Sequence, residues 1–293
     1  MHAAGPTAPR GRRAAVIGSP ISHSKSPLLH TAAYRALGVD CSYAAVDVDE
    51  AGLAAFIDGV RTGGTWRGLS VTMPLKGAVA RLVDSTTAPA SVLGVVNTVV
   101  VGDGPHPTLI GHNTDVAGVA HALAAAGAGT PRRAVVLGGG GTAAAAVAGL
   151  AQLGAGTVSV LVRRPDAAAA LQRIGAALGV AVAVVPWASA ADAVRTSDVV
   201  VSTLPPRAAD PLAGELTAGA PFHTDGTLLD VAYDPWPSRL AEAWERAGGR
   251  IVPGLDMLIH QAVEQVALFF PGAGGDRAAV LRAMCDAAGV TRR

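Results

Sequence analysis

Apolar residues along the chain follow two rhythms. Short, nearly unbroken runs alternate with stretches in which apolar positions recur every three or four residues. The first rhythm marks a strand buried on both faces, the second a helix with one buried side. In the first half, Ala14–Gly18, Ser42–Val48, Gly68–Thr72 and Val95–Val101 predict strands, and Pro27–Leu37 and Glu50–Arg61 predict helices. Ser26 can cap the first of these helices, Pro27 suits its first turn and Gly38 stops it. The second half predicts strands at Arg133–Leu137, Thr157–Val162, Val180–Val185, Asp198–Ser202, Leu228–Val231 and Arg250–Val252, with helices at Thr142–Leu153 and Asp166–Leu178 between the early ones. Val116–Ala126 predicts a helix joining the halves. Met257–Phe270 and Arg277–Ala287 predict two amphipathic helices with no strand after them.

This alternation implies an α/β protein of two domains. Residues 1–13 read as a flexible lead-in. Residues 14–114 with 254–293 form a mostly parallel α/β domain, onto which the last helices return. Residues 115–253 form a doubly wound Rossmann nucleotide-binding domain, since six such strands suit that fold.

Composition narrows the class. Of the 293 residues 50% are hydrophobic and 15% charged, with mean hydropathy +0.39, which excludes a disordered, highly charged chain. Lys+Arg 23 against Asp+Glu 22 leaves a net charge of +1 without a basic run, so no nucleic-acid partner is expected. The 2 cysteines, Cys41 and Cys285, are too few for a disulfide framework or a thiolate metal site, and a reducing, cytoplasmic setting fits. The histidines show no metal spacing; His112 and His121 straddle a helix start, and no metal is expected. Residues 134–162 carry no charge, yet Gly138–Gly141, Gly149, Gly154 and Gly156 break them into strand, loop, helix and strand, so no membrane partner is expected either. The N-terminal stretch lacks the apolar core of a signal peptide.

Gly138-Gly139-Gly140-Gly141-Thr142-Ala143 follows an apolar strand, opens an Ala-rich helix and fits G-x-G-x-x-A. Gly138 permits a tight turn, Gly140 close approach of a pyrophosphate, and Ala143 close helix–sheet packing, while the helix N-terminus favours phosphate. A merely flexible turn is the alternative, against which the strand before and the helix after weigh. The next strand ends in Val162-Arg163-Arg164-Pro165 where an NAD site carries a carboxylate. Two guanidiniums there suit the 2′-phosphate of NADP, although an Arg pair at a strand end can also be plain solvated charge.

Only Lys25 and Lys76 among the basic residues are lysines. Arginine holds its proton near neutrality, whereas lysine releases it when its surroundings lower its pKa. Lys76 follows a strand and the Pro74 turn, a position that faces ligand crevices in α/β sheets. Asp115, in Gly111-His112-Asn113-Thr114-Asp115, either caps the following helix, as Thr114 could, or orients Lys76. Asn97 interrupts an apolar strand and needs partners, structural or ligand. Ser22 and Ser24, in a loop before a helix N-terminus, suit a small carboxylate or form an ordinary serine turn.

Six ordered motifs then resemble the shikimate dehydrogenases. They are Gly18–Pro27, Ser70–Lys76, Gly94–Thr98, Gly111–Asp115, Asp230–Pro235 and Gly254–Ala262. The resemblance implies NADP-dependent interconversion of 3-dehydroshikimate and shikimate on the way to chorismate and aromatic amino acids. It implies that Lys76 and Asp115 form the catalytic pair and that Ser22, Ser24 and Thr72 hold the carboxylate and a nearby hydroxyl. Asn97 and Gln261 then bind ring hydroxyls, Tyr233 approaches the substrate, and Gly254 lines the nicotinamide pocket. The partner is a small molecule, with a homodimer entertained as the assembly. The chain departs from the pattern at Ser70, where many members carry Asn, at His112, where many carry Asp, at Asp256 in place of a frequent Gly, and at Ser202–Pro206. Alternatives are a quinate or quinate/shikimate dehydrogenase, a catalytically silent NADP-sensing module, and an empty scaffold.

Overall fold

The structure, a computed structural model, describes residues 11–163, 165–219 and 221–290. Residues 1–10 and Arg164 therefore lie outside the described residues. Two compact units divide the chain: residues up to Asn113 together with Ala262 onward, and Thr114–Gln261.

The first unit opens with β1 (Arg12–Gly18), α1 (Ser26–Leu37), β2 (Cys41–Asp47), α2 (Leu53–Thr62) and β3 (Trp66–Val71). Then come α3 (Lys76–Val79), β4 (Ser85–Thr86), α4 (Ala90–Leu93), β5 (Thr98–Val101) and β6 (Leu109–His112). The sheet order is β2-β1-β3-β5-β6-β4. β1 runs parallel to β2 and β3, and β4 parallel to β6, while β5 is antiparallel to both its neighbours. β1 is flanked by a strand on each side and its Ala14–Gly18 stretch is buried throughout, whereas edge strand β2 buries only Tyr43. Side chains alternate across a sheet. Ala15, Ile17, Leu69 and Val71 meet Leu53, Ile57 and Val60 of α2 in one core. Tyr43 and Ser70 point to the opposite face.

The second unit carries α5 (Asp115–Ala125), β7 (Ala134–Leu137), α6 (Gly141–Gln152), β8 (Thr157–Leu161), α7 (Pro165–Leu178), β9 (Ala181–Val185) and α8 (Ala190–Arg195). It continues through β10 (Val199–Ser202), α9 (Asp210–Ala218), β11 (Thr227–Asp230), α10 (Arg239–Arg246) and β12 (Arg250–Pro253). Its sheet is entirely parallel, in the order β12-β11-β10-β7-β8-β9. Counted from β7, that is the 3-2-1-4-5-6 order of a doubly wound dinucleotide fold. β7, β10 and β11 are buried at every residue, which explains their unbroken apolar runs. α11 (Gly254–Phe269) carries the chain back into the first unit, and α12 (Arg277–Ala288) packs along α1. The two-domain α/β architecture expected from the alternation is present. No helix among the described residues is long and apolar enough to cross a membrane.

Local boundaries differ from expectation for identifiable reasons. Arg12 and Arg13 belong to β1 rather than to a lead-in: they pair with Cys41 and Ser42, and the Arg13 guanidinium lies 4.2 Å from the Trp66 ring centroid. α2 starts at Leu53 rather than Glu50, because Asp49 Oδ1 accepts the Gly52 N–H at 2.8 Å and holds a turn. Ser26 does not cap α1. It is the first helical residue, and its N–H is taken by Ser24 Oγ at 3.3 Å. β5 starts at Thr98, because Gly94 (φ +66°) closes α4 and the chain bends through Asn97.

Candidate active site

In the first unit, three segments meet at one end of the sheet. The loop after β1 is tied to the segment after β3 by Ser19 N–H donating to Met73 O at 3.1 Å, and to β2 by Ile21 N–H donating to Asp47 Oδ2 at 3.3 Å. Gly18 makes the approach feasible: a Cβ there would stand 2.6 Å from Met73 O. Ser22 is exposed and Ser24 half-buried on this loop; Thr72 is half-buried beside it. The turn Thr72–Leu75 closes with Leu75 N–H donating to Thr72 O at 2.9 Å and delivers Lys76, half-buried, as the first residue of α3.

Val96 N–H donates to Lys76 O at 3.0 Å, which fixes the third segment against the second. Asn97 follows, 2% exposed, with its backbone carbonyl accepting Val71 N–H at 2.7 Å. Asn97 therefore sits on the bend before β5, not on the strand where the apolar run had put it. Its N–H donates to His112 O at 3.1 Å. His112 faces Thr87, whose Oγ1 lies 2.8 Å from Nδ1, and burial pushes this imidazole pKa down.

Asp115 belongs to the second unit. It opens α5, 5% exposed, where the helix dipole favours a carboxylate. Thr114 precedes it without a side-chain cap and instead donates from Oγ1 to Gln261 Oε1 at 3.2 Å. Gln261 is buried on α11, and its Nε2 donates to Leu258 O at 2.8 Å. A Cβ on Gly118 would stand 2.8 Å from the Gln261 Cβ, so α5 and α11 run in close contact here. The structure thus brings Asp115 and Gln261 onto neighbouring helices. Gly254, first residue of α11, packs against the Val231 backbone with no room for a side chain. That contact joins the head of α11 to the segment carrying Tyr233, which is half-buried with its pKa raised by burial and then by Asp234.

The glycine loop has the geometry a dinucleotide requires. Gly138 has φ +115°, and its N–H donates to Leu161 O at 3.0 Å. A Cβ on Gly139 would stand 2.7 Å from the Ala167 Cβ, whereas one on Gly140 would meet nothing within 4 Å. Gly140 is the extended residue before α6, so open space lies where a phosphate approaches the N–H groups of Gly141 and Thr142. Ala143 is fully buried against the sheet. Arg163 is exposed and lines a depression of about 280 Å³ with Val162, Gln172, Val184 and Pro186. These residues fit a dinucleotide with its adenosine end beside Arg163. Arg164, the other guanidinium expected there, is outside the described residues. Among the described residues no group of three or more His, Cys, Asp or Glu is placed to hold a metal.

Residues 16–99 match a family profile described as the shikimate dehydrogenase substrate binding domain, and residues 133–232 match one described as NADP oxidoreductase coenzyme F420-dependent. A protein of Methylobacterium radiotolerans named shikimate dehydrogenase (NADP(+)) is 38% identical over 258 residues, covering 86% of this chain and 88% of that one. The chain belongs to the shikimate dehydrogenase family. The crystal structure of the Mycobacterium tuberculosis shikimate dehydrogenase is 44% identical, with TM-score 0.80, covering 94% of this chain and 99% of that one. The shikimate dehydrogenase of Thermus thermophilus, solved in complex with NADP(H) and shikimate, is 30% identical with TM-score 0.77 and covers 94% and 99%.

Within this shikimate dehydrogenase fold, sequence reasoning passed over several polar residues. Asp230, at the end of β11, is buried. Its Oδ2 accepts from Ser238 Oγ at 2.6 Å and its Oδ1 from Ala232 N–H at 3.3 Å, bracing the segment that carries Tyr233. Burial, the larger influence, raises its pKa against these hydrogen bonds. Thr98 and Gln265 are buried and bonded to Asn97. A polar residue one helical turn after Gln261, on an otherwise apolar stripe, was the available sign of Gln265.

Proposed function

We propose that this family member catalyses the reversible NADP-dependent reduction of 3-dehydroshikimate to shikimate, a step toward chorismate and the aromatic amino acids. Support comes from one juxtaposition: the serine loop, the Thr72–Lys76 turn and Asn97 are hydrogen-bonded together at one end of the first unit's sheet, inside the stretch that matches the substrate-binding profile. Ser22, Ser24 and Thr72 take the carboxylate and a nearby hydroxyl. Asn97 and Gln261 take ring hydroxyls, and Tyr233 approaches the ring. NADPH, when bound, supplies the hydride that turns the C3 ketone into an alcohol. Gly138–Ala143 hold its pyrophosphate, Arg163 and Arg164 its 2′-phosphate, and Gly254 borders its nicotinamide. Lys76 donates a proton to the C3 oxygen as negative charge builds there, and in the reverse direction accepts it. Asp115 orients the ammonium and balances its charge. Such proton transfer contributes about 10²–10⁴-fold.

The first unit, on this proposal, is the substrate-binding and catalytic domain and the second binds NADP. A homodimer in the cytoplasm completes the proposal. The decisive experiment is steady-state turnover with shikimate or quinate against NADP⁺ or NAD⁺. Shikimate with NADP⁺ is expected to give the highest kcat/KM. A preference for quinate with NAD⁺ would make the protein a quinate dehydrogenase, and no turnover with any pair would leave a binding module.

A further inference from the structure

Behind Asn97 lies a buried chain of hydrogen bonds that no part of the catalytic proposal uses. Tyr43 Oη donates to Ser70 Oγ at 2.6 Å, and Ser70 Oγ donates to Gln265 Oε1 at 2.7 Å. Gln265 Nε2 donates to Thr98 Oγ1 at 2.9 Å and to the Asn97 carbonyl at 3.2 Å, and Thr98 Oγ1 donates to Asn97 Oδ1 at 2.8 Å. His30, stacked on Tyr43 with ring centroids 4.1 Å apart, has Nε2 3.1 Å from the same Gln265 Oε1. All six residues are buried.

The polarity of this chain is fixed by one group. A backbone carbonyl can only accept, so the Gln265 amide must turn Nε2 toward Asn97 O. Oε1 then faces Ser70 and His30, which must both donate, so the His30 proton sits on Nε2. The Thr98 hydroxyl, receiving Nε2–H, places its single proton on Asn97 Oδ1. With Oδ1 held toward Thr98, the Asn97 amide turns its Nδ2 away from Thr98.

We infer that Gln265 and Thr98 are positioning residues: they lock the Asn97 side chain so that it meets ligand as a hydrogen-bond donor, and thereby select a ring oxygen that accepts. The inference rests on Asn97 binding a substrate hydroxyl. It explains Ser70, the departure from the family pattern, as a link that delivers a proton to Gln265 rather than as a ligand contact.

Thr98→Val keeps the shape and removes the hydroxyl, leaving Gln265 Nε2 its bond to the Asn97 carbonyl. Steady-state kinetics, thermal unfolding and NADPH titration on the full chain are the measurements. Thr98→Val is expected to raise the shikimate KM about tenfold, the worth of one hydrogen bond of about 1.4 kcal/mol, while kcat changes less than about threefold and NADPH affinity holds. Thr98→Ser restores most of the loss. Ser70→Ala, a milder break, moves KM the same way. In the Asn97→Ala background, Thr98→Val adds no further loss. An unchanged KM in Thr98→Val and Ser70→Ala, with Asn97→Ala impaired, overturns the inference and leaves the role of Asn97 standing. Asn97→Ala with an unchanged KM removes the assignment of Asn97 itself and the inference with it.

Discussion

The two units prepare their ligand surfaces by opposite means. The first places hydroxyls, amides and an imidazole inside its fold: His30, Tyr43, Ser70, Thr98, Asn97 and Gln265 are all buried and hydrogen-bonded. The second keeps β7, β10 and β11 closed to water, and the surface proposed for phosphate consists of glycine backbone and a helix end. A polyol acid differs from its relatives by the position of single hydroxyls, and discrimination at that scale needs oriented donors and acceptors. A pyrophosphate is recognised by charge and shape, which backbone N–H groups satisfy. The contrast predicts that substitutions in the first unit change which small molecule reacts, whereas those in the second change how tightly a nucleotide is held.

The largest effect expected is at Lys76. Lys76→Ala should lower kcat by about 10²–10⁴-fold while NADPH titration stays within about twofold of wild type. Equal losses in turnover and NADPH affinity would dissolve the division of labour. Next comes Arg163→Ala, which removes a charge-assisted contact worth about 1.5–3 kcal/mol. The NADP⁺-over-NAD⁺ ratio of kcat/KM should fall roughly 10- to 100-fold with the shikimate KM unmoved. A ratio that does not change assigns the 2′-phosphate elsewhere.

The smallest effect is on stability and concerns His30. Burial, opposed only by the Gln265 hydrogen bond, drives its pKa down to about 3, while in an unfolded chain it titrates near 6.5. Above pH 6.5 neither state takes up the proton and the contribution is flat. Below it only the unfolded chain does, so stability falls with falling pH until about pH 3, where the folded imidazole protonates too. His30→Phe should flatten the decline in Tm between pH 6.5 and 4, by roughly 2–4 °C for each kcal/mol of proton-linked loss removed. An identical acid slope in the variant would show that buried polarity in the first unit carries no such cost.

Legibility in the sequence divided along the same line. Runs such as Val135–Leu137 and Val199–Val201 announce central parallel strands because both faces are apolar, and the glycine loop announces itself by position after one of them. The first unit was harder to read. β6 went unpredicted, although Asp103-Gly104 marks the turn joining it to β5. In the second unit α10 was passed over, although Ser238 caps it by accepting Ala241 N–H at 3.1 Å. Two-residue β4 carries no periodicity at all. Asn97 stands out in the sequence as a polar residue in apolar company, but its setting on a bend depends on Gly94 and on the Val96 bond to Lys76, a contact between segments distant in sequence. Gln265 acts through Thr98, 167 residues away, a pairing that no window along the chain contains.

The polarity inferred at Asn97, facing the proposed substrate, has a practical corollary for inhibitor chemistry. A ring bearing a ketone, an ether or fluorine at the atom opposed to that amide finds a matching partner. An ammonium group at the same atom meets hydrogen against hydrogen, and the amide cannot turn to relieve it without stripping Thr98 of its acceptor. Amino-substituted mimics of the substrate should therefore fail here for a reason unrelated to size.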